Sequence, residues 1–277
     1  LICMAFLFSC TNKRSGNPKV LVFSKTAGYH HESIAKGIPA IEKLGKENGF
    51  DVDTTTNPEM FNDDTLKKYS AVIFLNTTGP LFNTSQRVAL QRYIQSGGGY
   101  MGIHAATDAE YDWGWYNRLV GAYFLSHPQQ QEAKLLVKDK SHISTKHLPD
   151  VWTRKDEWYN FKKLNNDVHV LISIDEKSYE GGKNGDNHPM AWYHDYDGGR
   201  AFYTEMGHTD ESYADPLYLQ HILGGIQYAI GDNKELDYSK AKAQYPPDED
   251  RFTKVPLVQG QFFEPTELTV LPNLDIL

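Results

Sequence analysis

The strongest constraint on this chain is a series of short apolar segments, each closed by turn residues and followed by a stretch with helical spacing. Lys19–Lys25 carries Val-Leu-Val-Phe between Pro18 and Thr26-Ala-Gly28, as a strand buried on both faces does. Ser33–Asn48 follows, with Ile34, Ile38, Ile41 and Leu44 three or four residues apart on one face and Gly49 as the stop. The alternation continues through a strand at Phe50–Thr56, a short helix at Phe61–Leu66, a strand at Ala71–Asn76, a capped helix at Ser85–Ser96 and a strand at Gly97–Ile103. Strands and helices alternating over short joins require right-handed crossovers, so the expected fold is α/β: a doubly wound, mostly parallel sheet covered on both faces. After His104 the pattern loosens. It predicts a helix over Trp113–Val120, strands over Ala133–Lys138 and His169–Ile174, a hairpin of Met190–Tyr193 with Arg200–Glu205, and a closing helix over Pro216–Ile230.

Ligands of such sheets bind beyond the carboxyl ends of the strands. The residues there are Tyr29, His30 and His31 after the first strand, Asn76, Thr77 and Thr78 after the third, His104, Thr107 and Asp108 after the fourth, and His208 in Gly207-His-Thr-Asp210 after the late strand. If the parallel order holds, these histidines converge on one crevice. Gly102-Ile-His104-Ala-Ala compares with a nucleophile elbow presenting imidazole, a group suited to proton transfer or metal ligation, although packing of His104 beneath Trp113 or Trp115 would account for it as well. A second cluster, Lys155-Asp-Glu157-Trp-Tyr-Asn-Phe161, mixes acids with aromatics as sugar faces require. Glu157 is its best carboxylate for proton transfer, and Asn187-His188-Pro-Met-Ala-Trp192 has the same character; for both, a cap and a core Trp are the structural alternative. Gly97-Gly-Gly99 precedes a strand instead of opening a helix, which argues against a phosphate loop.

The formal net charge of −8 argues against a nucleic-acid-coating protein. Both cysteines, Cys3 and Cys10, lie in the first ten of the 277 residues, so the body from Lys19 on has no thiol nucleophile and no Cys-based zinc site. Leu7-Phe-Ser-Cys10 after an apolar block resembles the end of a truncated lipoprotein signal, with diacylated Cys10 as anchor and a periplasmic or cell-envelope location; membrane contact is expected only through that lipid. The expected organisation is signal and linker over 1–18, a domain over 19–231, and a linker and tail over 232–277. The tail resembles the opening strand of a propeller-type sugar dehydrogenase.

Five ordered motifs, Lys19–His31, Gly97–Asp108, Asp156–Tyr159, His188–Trp192 and Gly199–Thr209, together resemble the trehalose-utilisation (ThuA-like) family. The resemblance implies a class I glutamine amidotransferase-like, flavodoxin-like three-layer sandwich. In it Gly207-His208-Thr209 corresponds to the catalytic His loop of amidotransferases, and His104 stands where they carry Cys, a loss that argues against amidotransfer. It further implies handling of 3-keto disaccharides or glycosides beside a sugar dehydrogenase domain or partner. On that reading His104 and Glu157 transfer protons, His208 stabilises an oxyanion, and Tyr29, His30, His31, Asp108, His188 and Trp192 bind substrate. No cofactor is certain from the residues. A divalent metal such as zinc, if used, would draw on His30, His104 and His208, without the signature spacing of HExxH. The competing reading is a non-catalytic carbohydrate-binding or scaffolding domain.

Overall fold

The computed structural model describes residues 13–247. The apolar alternation resolves into β1 (Lys19–Phe23), α1 (Ile34–Asn48), β2 (Asp51–Thr55), α2 (Asp63–Leu66), β3 (Ala71–Leu75), α3 (Thr84–Gln95) and β4 (Gly99–Ile103). Gly49 ends α1 in the left-handed region (φ 75°) and returns its N–H to Gly45 O, while Asn83 and Gln86 form a reciprocal capping box at the start of α3. Beyond lie α4 (Gly114–Val120), β5 (Tyr123–Ser126), β6 (Gln131–Val137), β7 (Val151–Asp156), β8 (Asn160–Lys162), β9 (His169–Ile174), β10 (Pro189–Tyr196), β11 (Gly199–Thr204) and α5 (Pro216–Ile230).

Nine strands form one sheet in the order β2-β1-β3-β4-β11-β10-β9-β6-β7. From β2 to β11 all neighbours are parallel, in the doubly wound order of flavodoxin-like folds; from β11 to β7 all are antiparallel. The strands expected from the apolar pattern belong mainly to the first half. Two antiparallel strands, β5 and β8, make a separate ribbon.

Helices cover both faces. A Cβ on Gly99 would overlap Ala229 O of α5, whereas the next residue, Tyr100, points the opposite way and bonds Tyr116 of α4 at 3.0 Å. A Cβ on Gly98 would overlap the Tyr93 ring of α3. Gly98 and Gly99 therefore let two helices approach the sheet, while Gly97 makes the turn between α3 and β4 at φ 98°. Val20–Phe23, Ala71–Leu75 and Tyr100–Ile103, apart from Gly102, form the dry centre of the core.

Residues up to Tyr245 form one unit; of the second, Pro246–Leu277, only Pro246 and Pro247 are described. The stretch after Gly231, expected as linker, is held against α3: Lys242 and Ala243 donate to Gln95 Oε1, and Arg92 donates to Ala243 O. Cys10 and the strand-like tail lie outside the described residues. Among the described residues no helix is long and apolar enough to cross a membrane.

Candidate functional site

Four side chains from four separate segments meet at the carboxyl edge of the parallel strands: His31 after β1, His104 after β4, Glu157 after β7 and His208 after β11. One donor atom from each lies within 4.8 Å of the others. The backbone brings each there for a traceable reason. His104 sits at φ 48°, a left-handed conformation uncommon for a side chain with a Cβ, and begins a single turn over His104–Thr107. This is the strained strand-to-turn elbow expected from Gly102-Ile-His104. Its Nδ1 donates to Glu205 O at 2.6 Å, and Tyr203 Oη donates to its carbonyl. Because a carbonyl only accepts, the neutral ring presents a lone pair at Nε2.

The His31 loop is fastened by the polar residues after β3. Thr78 Oγ1 donates to Tyr29 O and accepts from Gly28 N, while Asn76 Nδ2 donates to Ser33 Oγ, which donates to Gly207 O. Asn76 and Thr78 are thus scaffold. Asp156 performs the same service on the other side. Its fully buried carboxylate accepts from the amides of Glu157, Gly207 and His208, from Ser212 Oγ and from Arg154 Nη2, all at 3.0–3.2 Å. Sequence reading gave Asp156 no role; it is the clasp that joins the end of β7 to the loop after β11. Tyr159 N donates to Glu205 Oε1 at 2.9 Å, a second tie between the same segments.

Within the cluster Glu157 Oε2 lies 3.0 Å from His208 Nδ1 and 3.4 Å from His104 Nε2, and His104 Nε2 lies 3.2 Å from His208 Nδ1. Burial works against the Glu157 charge, but the adjacent His104 and His208 outweigh it and hold the carboxyl well below its usual range. For His208 the order is similar: burial disfavours its charge, and Glu157 reverses that and raises it. Glu157 is therefore the anion of an ion pair, a state that suits a proton acceptor more than a proton donor at neutral pH. Burial, reinforced by His104 and His208, pushes His31 down to about 2. Burial also raises the Glu205 carboxyl well above its usual range.

A cavity of about 390 Å³ opens onto the cluster. Asp108, Phe124, His127 and Tyr159 line it together with Tyr29, Gln130 and three of the four converging residues. The Tyr159 ring lies 4.3 Å from those of His104 and Phe124, so the wall beside His104 is Tyr159 and not Trp113 or Trp115. His127 Nδ1 approaches Glu157 Oε1 at 3.1 Å. Burial raises the Asp108 carboxyl, which accepts from Tyr111 Oη at 2.5 Å. Tyr29 is 64% exposed and stands at the mouth, its ring 4.8 Å from that of His31.

Three expected site residues fall elsewhere. His30 is exposed, with Nδ1 against Thr26 Oγ1, and the converging place in that loop belongs to its neighbour His31. His188 is fully buried between Glu176 Oε1 (2.7 Å) and Tyr159 O (2.8 Å), where it supports the Tyr159 wall from behind. Trp192 is fully buried and donates to Val120 O. Neither touches the cavity, because their aromatic and polar surroundings serve the core. His127 and Gln130 were missed; His127-Pro128 between β5 and β6 was the only available signal.

Solved structures with this fold include a ThuA-like protein from Bacteroides uniformis (24% identity, 79% of this chain and 94% of that chain, TM-score 0.66) and one from Parabacteroides merdae (21%, 77% and 90%, 0.63). A β-galactosidase from Bacillus circulans sp. alkalophilus shares the fold over 30% of its own chain and 76% of this one (12%, TM-score 0.52). No curated protein matches the sequence. The family model described as trehalose utilisation (ThuA) matches residues 19–229. With that match over most of its length, and with the fold of ThuA-like proteins around the histidine–glutamate cluster, the chain belongs to the ThuA family of trehalose utilisation.

Proposed function

We propose that the chain processes 3-keto disaccharides or glycosides in this crevice by acid–base elimination, hydrolysis or isomerisation. The observation that carries the reading is the convergence of His31, His104, Glu157 and His208 at the base of a cavity walled by Phe124, Tyr159 and Asp108. Family membership in trehalose utilisation supports a sugar as the substrate. Aromatic faces suit the C–H faces of a pyranose, and the polar groups suit its hydroxyls.

A ketone at C3 acidifies the proton on C2. A base removes that proton, the C–H electron pair forms the C2–C3 double bond, and the carbonyl oxygen becomes the oxyanion of an enediolate. When the oxyanion collapses back to the ketone, the pair moves to C1–C2, the C1–O bond breaks, and the glycosidic oxygen leaves with its electrons and takes a proton from water. Reprotonation instead of expulsion gives an isomer. Asp108 is the base in this scheme: it lies on the cavity wall, and its burial brings its proton affinity closer to neutral pH. The cluster supplies the positive charge that meets the oxyanion, with His208 as its cationic member. In the same proposal Cys10 anchors the chain at the cell envelope, beside a dehydrogenase that makes the 3-keto group.

The test is incubation of the full chain with 3-keto and parent glucosides, followed by NMR beside a His104→Ala control. Turnover of the keto sugars alone, lost in the control, supports the reading. Binding of either sugar without turnover would replace it with a carbohydrate-binding module.

A further inference from the structure

We infer that His31, His104, His208 and Glu157 form a mononuclear site for a borderline divalent transition metal such as zinc or cobalt. The argument starts from a hydrogen-bond count. His104 Nδ1–H is committed to Glu205 O, and in that tautomer Nε2 is the acceptor that faces the cluster. It faces Glu157 Oε2 at 3.4 Å and His208 Nδ1 at 3.2 Å, and those two atoms stand 3.0 Å apart. Three polar atoms thus form a nearly equilateral triangle. A single proton on His208 Nδ1 serves the edges to His104 Nε2 and Glu157 Oε2, and the third edge, between those two atoms, sets acceptor against acceptor.

An ion at the centre satisfies all three at once. Nitrogen and oxygen donors held at about 2.0–2.1 Å by a tetrahedral ion stand roughly 3.3–3.4 Å from one another. The observed edges, 3.0, 3.2 and 3.4 Å, are at that length or a few tenths of an ångström shorter. His31 completes the set: it is 3% exposed, its Nδ1 has no hydrogen-bond partner, and its ring centroid lies 5.0 Å from that of His104 and 5.1 Å from that of His208. It is the loosest of the four, with all donor atoms within 4.8 Å of one another. The surroundings are those a metal site needs. Glu205 O fixes the ring orientation of His104, the Asp156 clasp holds the amides of Glu157 and His208, and His127 braces the outer oxygen of Glu157. Three imidazole nitrogens and one carboxylate oxygen select a borderline ion over magnesium or calcium, which prefer oxygen alone. When bound, such an ion supplies Lewis acidity to adjacent carbonyl and hydroxyl oxygens of a substrate.

The inference deepens the proposed function by putting a metal ion in place of the His208 proton as the positive charge of the cluster, and it rests on that reading only for the substrate. It is therefore tested without sugar. The full chain is stripped with a chelator and titrated calorimetrically with Zn²⁺ and Co²⁺, with far-UV circular dichroism as the check on folding. One ion per chain is expected, with affinity at least about tenfold weaker in Glu157→Gln and in His208→Gln. His147→Ala, remote from the cluster, should bind like the parent chain. Should either ligand variant fail to fold, the Co²⁺ spectrum of the parent chain decides: intense visible bands support a nitrogen–oxygen site of low symmetry, and the weak bands of the aqua ion overturn it. Binding of less than a tenth of an ion per chain, or unchanged affinity in both folded variants, also overturns the inference. Metal binding without keto-sugar turnover would retain the site and reject only the function.

Discussion

Replacing Asp156 by Asn tests whether one buried carboxylate holds the cluster together. Oδ1 accepts from the amides of Glu157 and His208, and Oδ2 accepts from Gly207 N, Ser212 Oγ and Arg154 Nη2. An asparagine keeps one acceptor oxygen and turns an NH₂ toward donors on the other side, so two or three bonds are lost and donors face donors. Arg154, with 7% of its side chain exposed, also loses its nearest counter-charge. Removing one partner of a buried ion pair costs about 3–5 kcal/mol. Arg154 retains Asp215 at 3.5 Å, which favours the lower end, about 3 kcal/mol. For a domain of this size each kcal/mol moves Tm by roughly 2–4 °C, so a fall of roughly 6–12 °C is expected. Thermal and urea unfolding of the full chain would measure it. A shift below about 2 °C would refute the clasp, since no set of buried donors can lose its acceptor at so small a cost.

Asp108→Asn should lower kcat on a 3-keto glucoside by roughly 10²–10⁴-fold with KM little changed, because the amide preserves shape and removes the base; steady-state kinetics on both parameters checks it. Gly99→Ala should destabilise the fold by about 1–3 kcal/mol, read by urea unfolding, since the new methyl would overlap Ala229 O. His221 is fully buried between Ser144 O and Thr204 Oγ1, and burial pushes it down to about 3 from 6.5. Between those values the unfolded chain binds the proton and the folded chain does not, so this contribution is intact above pH 6.5 and is lost as pH falls toward 3. At pH 5 the loss is about 2 kcal/mol, and His221→Gln should flatten the pH dependence of unfolding free energy by that amount.

The parallel half of the fold was legible because its strands are continuous apolar runs between turn signals, and burial on both faces leaves no alternative pattern. The antiparallel half was less so: β7 alternates exposed and buried residues in a polar stretch, and β5 and β8 are only four and three residues long. Strand ends identified His31, His104 and His208, yet they could not separate His31 from His30, because which of two adjacent loop residues turns inward depends on the Thr78 and Asn76 bonds from another strand. Glu157 stood out as an acid among aromatics, but its state did not, since that is set by two histidines more than 45 residues away in sequence. His188 and Trp192 carry the same polar–aromatic signature as a sugar site; only burial assigns them to the core. Asp156 and Glu205 act through backbone amides and a carbonyl, which leave no mark in side-chain spacing.

The most direct test of the central claim is deuterium incorporation at C2 when the metal-loaded full chain turns over a 3-keto glucoside in D₂O, followed by NMR. Removal of the C2 proton predicts deuterium at C2 in recovered substrate or isomerised product, or loss of the C2 proton in an eliminated product, and none of these with Asp108→Asn. Glycosidic cleavage with the C2 proton fully retained would contradict the account.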